Sequence, residues 1–295
     1  MGVGRMMGEW RLDIAYPVLA RVPTTLPWHI APLLGRDAAS NRASVESFLV
    51  DRFGVCFPDA SPAQRLNWAR LHLDMLAQEM VDALAFHRLG MRGGPSIELQ
   101  GLEHLNKAQE AGRGVILVLN HVDRLLTAPV ALARRGVASN VLTMPVLDNP
   151  DINPSLKRFL LTKIEGYTRV TGGIWRTTAE TLRPVHSSLR DGGIWIILAD
   201  AWRPEFGRLR SHPFLSGTLQ LPTGVERLAQ STGACLIHAV TRSMGGAHLH
   251  VLVEPLPDDP VDAVSAVIQK LAAEVRARPW AWWQWGILDR MWSPS

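Results

Sequence analysis

The chain has 295 residues, of which 47% are hydrophobic and 20% charged, and its formal net charge is +4. This composition excludes disordered, collagen-like and coiled-coil proteins, and the length is enough to bury a substantial core. The positive charge is small for a chain of this size, so we expect no nucleic-acid partner. It suits an anionic membrane surface or an acidic carrier protein equally well.

The N-terminal segment 14–34 is apolar but interrupted by Arg21, His29 and four prolines. It is therefore not a transmembrane helix, which needs about 20 consecutive apolar residues, and it lacks the regions of a signal peptide. Two interpretations stay open, an amphipathic segment at a membrane interface and a helical hairpin packed on the core.

Residues 40–90 have the apolar spacing of helices, and Ser61 and Pro62 are typical of the N-cap and first residue of one of them. The glycine-rich stretch 90–95 ends this pattern. We therefore expect an N-terminal helical region over 1–95, a candidate membrane-facing region, and an α/β core over 96–295 that ends in a tryptophan-rich segment. The two regions are expected to form one continuous domain.

Beyond residue 96, continuous apolar runs alternate with helical patterns. This alternation predicts an α/β fold with a mixed, mostly parallel central sheet covered by helices on both faces. The predicted strands are 115–120, 137–146, 194–200, 234–242 and 248–256. The predicted helices are 102–111, 124–136, 154–165, 177–190, 222–233 and 261–278.

The two cysteines, Cys56 and Cys235, lie far apart in apolar sequence. Their spacing matches no metal site or disulfide framework, so we expect two small core residues in a reducing compartment and no metal. The sequence also lacks a G-x-S-x-G elbow and a G-x-G-x-x-G turn, which disfavours a serine hydrolase and a Rossmann dehydrogenase. We expect no cofactor.

His121 directly follows the predicted strand 115–120. Ligands of open α/β sheets bind at the carboxyl ends of strands, where an imidazole can act as a general base. A loop histidine bonded to the backbone is the alternative interpretation of a single histidine in this position.

Several ordered blocks resemble the lipid A biosynthesis acyltransferase family, within the lysophospholipid and glycerolipid acyltransferase superfamily. They cover nearly the whole chain. The blocks are GRGVILVLNHVD, GGIWR, LRDGGIWIILAD and HPFLSGTLQLPTGVERLAQSTGACLIHAV. The last is the most specific, because many positions agree in order at fixed spacing.

The resemblance implies that His121 is the histidine of an H-x4-D/E motif, which deprotonates the acceptor of an acyl group. Leu126 stands at the acidic position of that motif. Three interpretations follow. Asp123, Asp200 or Glu205 replaces the missing partner, His121 works alone on a more reactive amine, or the protein is a non-catalytic relative.

The resemblance also implies further site residues. Arg176 resembles the arginine that contacts the acceptor, and Trp202 follows the strand that ends at Asp200. Gly217 and Thr218 form a turn whose amides are candidates for binding an oxyanion or phosphate. The tryptophan-rich end corresponds to an aromatic segment that either meets the membrane, closes an acyl tunnel or packs as a C-terminal helix.

The predicted function is transfer of a fatty acyl group from an acyl carrier protein or coenzyme A to a hydroxyl or amine. The acceptor is expected to be a lipid, a glycolipid or a small molecule. The resemblance also implies a cytoplasmic protein that is peripheral on the cytoplasmic face of the inner membrane. The alternatives are an aminoacyl or glycyl transferase on the same scaffold and a non-catalytic, membrane-associated protein.

Overall fold

A mixed sheet of seven strands runs through the computed structural model, which describes residues 10–36, 39–150, 152–245 and 247–294. The strand order is β1-β9-β8-β2-β5-β3-β4, and β8–β9 is the antiparallel pair while the other neighbours are parallel. A second, antiparallel sheet has the order β10-β7-β6. The strands are β1 (Ser96–Gln100), β2 (Val115–Leu119), β3 (Asn140–Thr143), β4 (Trp175–Thr177), β5 (Ile194–Leu198), β6 (Leu209–Phe214), β7 (Gly217–Pro222), β8 (Cys235–Ser243), β9 (His248–Pro255) and β10 (Trp292–Pro294).

Helices precede the sheet in the chain and connect its strands. A π-helical turn, Arg11–Ala15, leads into α1, and short 3-10 turns occur at Phe86–Arg88, Val146–Asp148, Pro279–Ala281 and Gln284–Ile287. Within the described ranges, no helix is long and apolar enough to cross a membrane. The α-helices are α1 (Tyr16–Arg21), α2 (Leu26–Arg36), α3 (Ala39–Cys56), α4 (Pro62–Leu84), α5 (Leu102–Glu110), α6 (Thr127–Ala133), α7 (Pro154–Thr171), α8 (Arg183–Arg190), α9 (Gly224–Thr232), α10 (Pro260–Ala277) and α11 (Leu288–Met291).

Strand β2 shows why the central sheet is covered on both faces. All five of its residues are buried. Ile116 and Val118 belong to one hydrophobic cluster, whereas Val115, Leu117 and Leu119 belong to another. Successive side chains of a strand point to opposite faces, so a continuous apolar run needs a core on each side. The predicted fold class, a mostly parallel α/β sheet between helices, is confirmed.

The predicted start of α4 is also confirmed. The Ser61 hydroxyl accepts a hydrogen bond from the Gln64 amide at 3.2 Å, and the Gln64 side chain accepts one from the Ser61 amide at 2.8 Å. Pro62 is the first residue of the helix. This reciprocal capping satisfies two backbone donors that a helix start otherwise leaves unpaired.

Two predicted helices differ most from the structure in where they begin or end. The helix expected over 177–190 is confined to α8, because Trp175–Thr177 pairs with β3 as the edge strand β4. The helix expected near 154–165 continues to Thr171, where Gly172, with a φ of 67°, ends it. The division of the chain at residue 95 stays a prediction.

Cys56, at the end of α3, yields a first prediction. Its side chain is buried in a hydrophobic cluster, and this burial raises the pKa of the thiol to about 12. Because only a thiolate reacts readily with disulfide reagents, we expect Cys56 to resist an aromatic disulfide reagent near pH 8 until the protein unfolds. The measurement uses a Cys235→Ser variant with and without denaturant. Rapid stoichiometric reaction in native buffer would contradict the buried position.

Candidate active site

His121 and Asp200 meet at one edge of the central sheet. Strands β2 and β5 are parallel neighbours, with Leu119 paired to Leu198, so the residues that follow them emerge side by side. The Nδ1 atom of His121 lies 2.9 Å from Oδ1 of Asp200. The backbone amide of His121 donates to the same carboxylate at 2.9 and 3.0 Å. Ring and backbone of the histidine are therefore both held by one acidic side chain.

The Asp200 carboxylate is fully buried, with 0% of the residue exposed. A buried charge persists only when it is paired and hydrogen-bonded. In addition to the two groups of His121, the indole of Trp282 donates to Asp200 at 2.9 Å. Donation from Nδ1 to the carboxylate puts the ring proton on Nδ1 and leaves Nε2 with a free lone pair.

Residues of the C-terminal segment also contact the His121–Asp200 pair. The Gln284 amide nitrogen lies 2.8 Å from Nδ1 of His121 and 3.2 Å from the backbone carbonyl of Asp200. A ring nitrogen that donates to a carboxylate cannot also accept from an amide, so we assign the amide proton to the carbonyl. The backbone amide of Trp283 donates to the carbonyl of His121 at 2.9 Å.

The tryptophans of this segment are mostly core residues. Trp282 and Trp285 are fully buried and pack edge to face with ring centroids 5.0 Å apart. Of the three interpretations of this segment, these two residues therefore agree with packing against the core. The segment does not form one continuous helix, because it consists of two 3-10 turns and the short helix α11. Trp282 and Gln284 are the site residues that the sequence did not indicate.

Asp123 points away from the imidazole. Its carboxylate accepts hydrogen bonds from the Ser243 hydroxyl at 2.6 Å and the Arg278 guanidinium at 2.6 Å. Its backbone has a φ of 53°, in the left-handed region that non-glycine residues rarely adopt. Burial alone would lower the pKa of Arg278, but the charges of Asp123 and Glu274 outweigh it and raise that pKa. Asp123 therefore anchors the loop after β2 to β8 and to the residue that follows α10.

Arg124 fixes the same loop to α4. Its guanidinium is buried and forms a two-pronged ion pair with the buried carboxylate of Asp82. The indole of Trp28 donates to this carboxylate at 2.7 Å. The three side chains thus connect the His121 loop, α4 and α2 in one buried polar cluster.

Two cavities open beside His121, which lines both. The larger has a volume of about 520 Å³, and its wall includes Leu142, Ile197 and Val225 as well as polar groups. The smaller, of about 140 Å³, is lined mainly by apolar side chains, and its polar residues are His121, Thr143 and Lys163. Leu126, at the position where the resemblance expects an acid, forms part of its wall.

The other predicted site residues are distributed unevenly. Glu205 lines the larger cavity, whereas Arg176, Trp202, Gly217 and Thr218 line neither of the two. Arg176 pairs with Glu180 at 2.9 Å, and Trp202 is partly buried against a hydrophobic cluster. The turn predicted at Gly217 and Thr218 is wrong, because both belong to strand β7 and pair with the terminal strand β10, and the turn comprises Leu215 and Ser216. In the part of the chain that the structure describes, no cluster of His, Cys, Asp and Glu side chains could hold a metal ion.

Fold and site together define an α/β protein with a histidine–carboxylate pair at the mouth of two largely apolar cavities. Residues 3–292 match the family model of the bacterial lipid A biosynthesis acyltransferases. The chain belongs to this family, whose members transfer acyl groups. Among curated proteins, none matches the chain.

The buried pair of Asp82 and Arg124 yields a second prediction. Asp82→Asn removes the charge that compensates a buried guanidinium, and breaking such a pair costs about 3–5 kcal/mol. We expect the free energy of unfolding to fall by that order, measured by urea denaturation. Asp59→Asn, in an exposed turn before α4, is the control and should change it by less than about 0.5 kcal/mol. Equal denaturation midpoints for both variants would contradict the role assigned to Asp82.

Proposed function

We propose that this chain transfers a fatty acyl group from a carrier thioester to a hydroxyl or amine, with His121 as the general base. The observation that carries the proposal is the 2.9 Å contact between Nδ1 of His121 and the buried carboxylate of Asp200. A carboxylate in this position orients the imidazole and stabilises its protonated form. Asp200 therefore supplies what Leu126 cannot.

In the proposed step, Nε2 of His121 removes the proton of the acceptor as its oxygen or nitrogen attacks the thioester carbonyl. The tetrahedral intermediate collapses with cleavage of the carbon–sulfur bond. The imidazolium, paired with Asp200, then returns the proton to the departing thiolate. The transfer is direct, without an acyl-enzyme, and Asp123 takes no part because its carboxylate is bound to Ser243 and Arg278.

The two cavities support a fatty acyl substrate. Both share His121 and the apolar side chains of Leu142, Val146 and Leu198. An acyl chain buried against such walls gains about 0.8 kcal/mol per methylene group. The histidine thus lies where an apolar chain and a polar acceptor can both reach it.

The proposed base and its partner yield a third prediction. His121→Ala removes the base, and Asp200→Asn keeps the size of the side chain but removes its charge. We expect each to lower kcat for acyl transfer by about 10²–10⁴, measured with acyl carrier protein and coenzyme A thioesters. Asp258→Asn, on an exposed loop, should retain the wild-type rate.

Transfer by His121→Ala at the wild-type rate would overturn the assignment of the base. Wild-type protein that transfers an aminoacyl but no fatty acyl thioester would favour an aminoacyl transferase. Wild-type protein that transfers neither would favour a non-catalytic relative.

We also infer that the N-terminal helical segment, residues 10–21, binds to a membrane surface. Trp10, Ile14 and Val18 recur every four residues, and each is about half exposed. Next to this stripe, Asp13 is bonded to Ser155 and Arg158 of α7, and these contacts lower the pKa of Asp13. An outward apolar stripe on a docked helix is typical of interfacial binding, and a lipid acceptor would be reached at that surface.

This inference yields a fourth prediction. The double substitution Ile14→Ser and Val18→Ser removes apolar surface that a membrane would cover. Burial of such surface stabilises binding by about 25 cal/mol per Å². We expect binding to phosphatidylglycerol–phosphatidylethanolamine vesicles, measured by co-sedimentation, to fall about tenfold or more. Leu161→Ser, an exposed leucine on α7, is the matched control and should bind as the wild type does. Unchanged binding of the double variant would exclude the stripe as the contact.

A further inference from the structure

Four arginines lie between the end of β5 and the first half of α9, and they differ in their partners. Arg203 lies 3.7 Å from Glu205, and Arg210 lies 3.1 Å from Glu226. The side chains of Arg208 and Arg227 form neither a hydrogen bond nor an ion pair with any described residue. The two paired arginines stay outside the larger cavity, whereas both unpaired arginines line it together with His121.

The backbone holds the two unpaired arginines on neighbouring elements. The carbonyl of Arg208 accepts a hydrogen bond from the amide of Thr223 at 3.1 Å. Thr223 directly precedes α9, and Arg227 lies in the first turns of that helix. Glu205 also lines this cavity, but its carboxylate is paired with Arg203. Two arginines without a carboxylate partner make this part of the wall electropositive, which favours an anion.

The chemistry of the pair selects the anion. A guanidinium group matches phosphate oxygens with a two-pronged set of hydrogen bonds. A carboxylate has two oxygens and a single charge, which one arginine satisfies. A phosphate has more oxygens and up to two charges, so it can use two arginines at once.

We propose that Arg208 and Arg227 bind a phosphate group of the substrate that occupies the His121 cavity. The proposal rests on the proposed acyl transfer for the identity of that substrate. Two sources share this chemistry. The phosphate belongs either to the phosphopantetheine arm of the acyl donor or to a phosphorylated acceptor. Arg208 and Arg227 are positioning residues, because they hold the substrate and touch no reacting atom.

The experiment measures binding without turnover, by isothermal titration calorimetry. One pair of probes is 4′-phosphopantetheine and pantetheine, and the other is glucosamine 6-phosphate and glucosamine. The wild type is expected to bind the phosphorylated member of one pair about tenfold more tightly than its partner, in keeping with two charge-assisted interactions. The pair that shows the preference identifies the source of the phosphate.

The variants test which residues cause the preference. Arg208→Ala combined with Arg227→Ala should bind both members of that pair equally. Arg276→Ala, an exposed arginine of α10, should keep the preference. His121→Ala should also keep it, so a failure of the proposed acyl transfer is distinguishable from a failure of the phosphate site.

Three results would overturn the phosphate site. They are equal binding of both members in both pairs by the wild type, a preference that survives in the double arginine variant, and no binding of either phosphorylated probe at millimolar concentration. A circular dichroism spectrum of the double variant that matches the wild type ensures that a lost preference reports on the site and not on folding.

Discussion

The buried carboxylate of Asp200 is the constraint on which the site depends. It carries no exposed area, so its charge requires donors that the fold must bring from elsewhere. Those donors are the amide and ring of His121, which follows β2, and the indole of Trp282, near the C-terminus. The same contacts that stabilise the carboxylate therefore hold the imidazole in one orientation and attach the last part of the chain to the sheet edge. Loss of the carboxylate would deprive all three donors of their acceptor at once.

A second set of charges holds the loop after β2 from the opposite side. Asp123 is bonded to Ser243 and Arg278, and Arg124 is paired with Asp82 inside the protein. These bonds are consistent with the left-handed backbone at Asp123, a conformation that costs of order 1–3 kcal/mol and persists only when its surroundings impose it. His121 thus occupies a loop anchored on both sides. An imidazole held in this way needs little reorganisation for its proposed role as a base.

The sequence predicted the central elements well because their signals are local. The apolar runs of β2 and β5 and the capping pattern at Ser61 depend on neighbouring residues. The site depends on pairings that no local pattern encodes. Asp200 was a candidate partner, but the choice between it and Asp123 required the strand order, which puts β5 beside β2. Trp282 contacts Asp200 across 82 residues of chain, so a pattern of tryptophans could not reveal that contact. Short edge strands such as β4 lack the apolar run that would indicate them.

Leu126, which stands where the H-x4-D/E motif has an acid, is part of the apolar wall of the smaller cavity. An acidic residue at that position would bring a charge to a space of about 140 Å³ lined mainly by apolar side chains. The amine of Lys163, which also lines this space, is already bonded to Glu79, so burying a further carboxylate there would be costly. With the carboxylate supplied by Asp200 from the neighbouring strand, position 126 is free to extend the apolar wall. Asp200 is bonded to Trp282 inside the core, whereas His121 also lines the two cavities. The proposed base therefore has a carboxylate partner despite the departure from the H-x4-D/E pattern. That carboxylate follows the neighbouring strand β5 and does not come from the loop after β2.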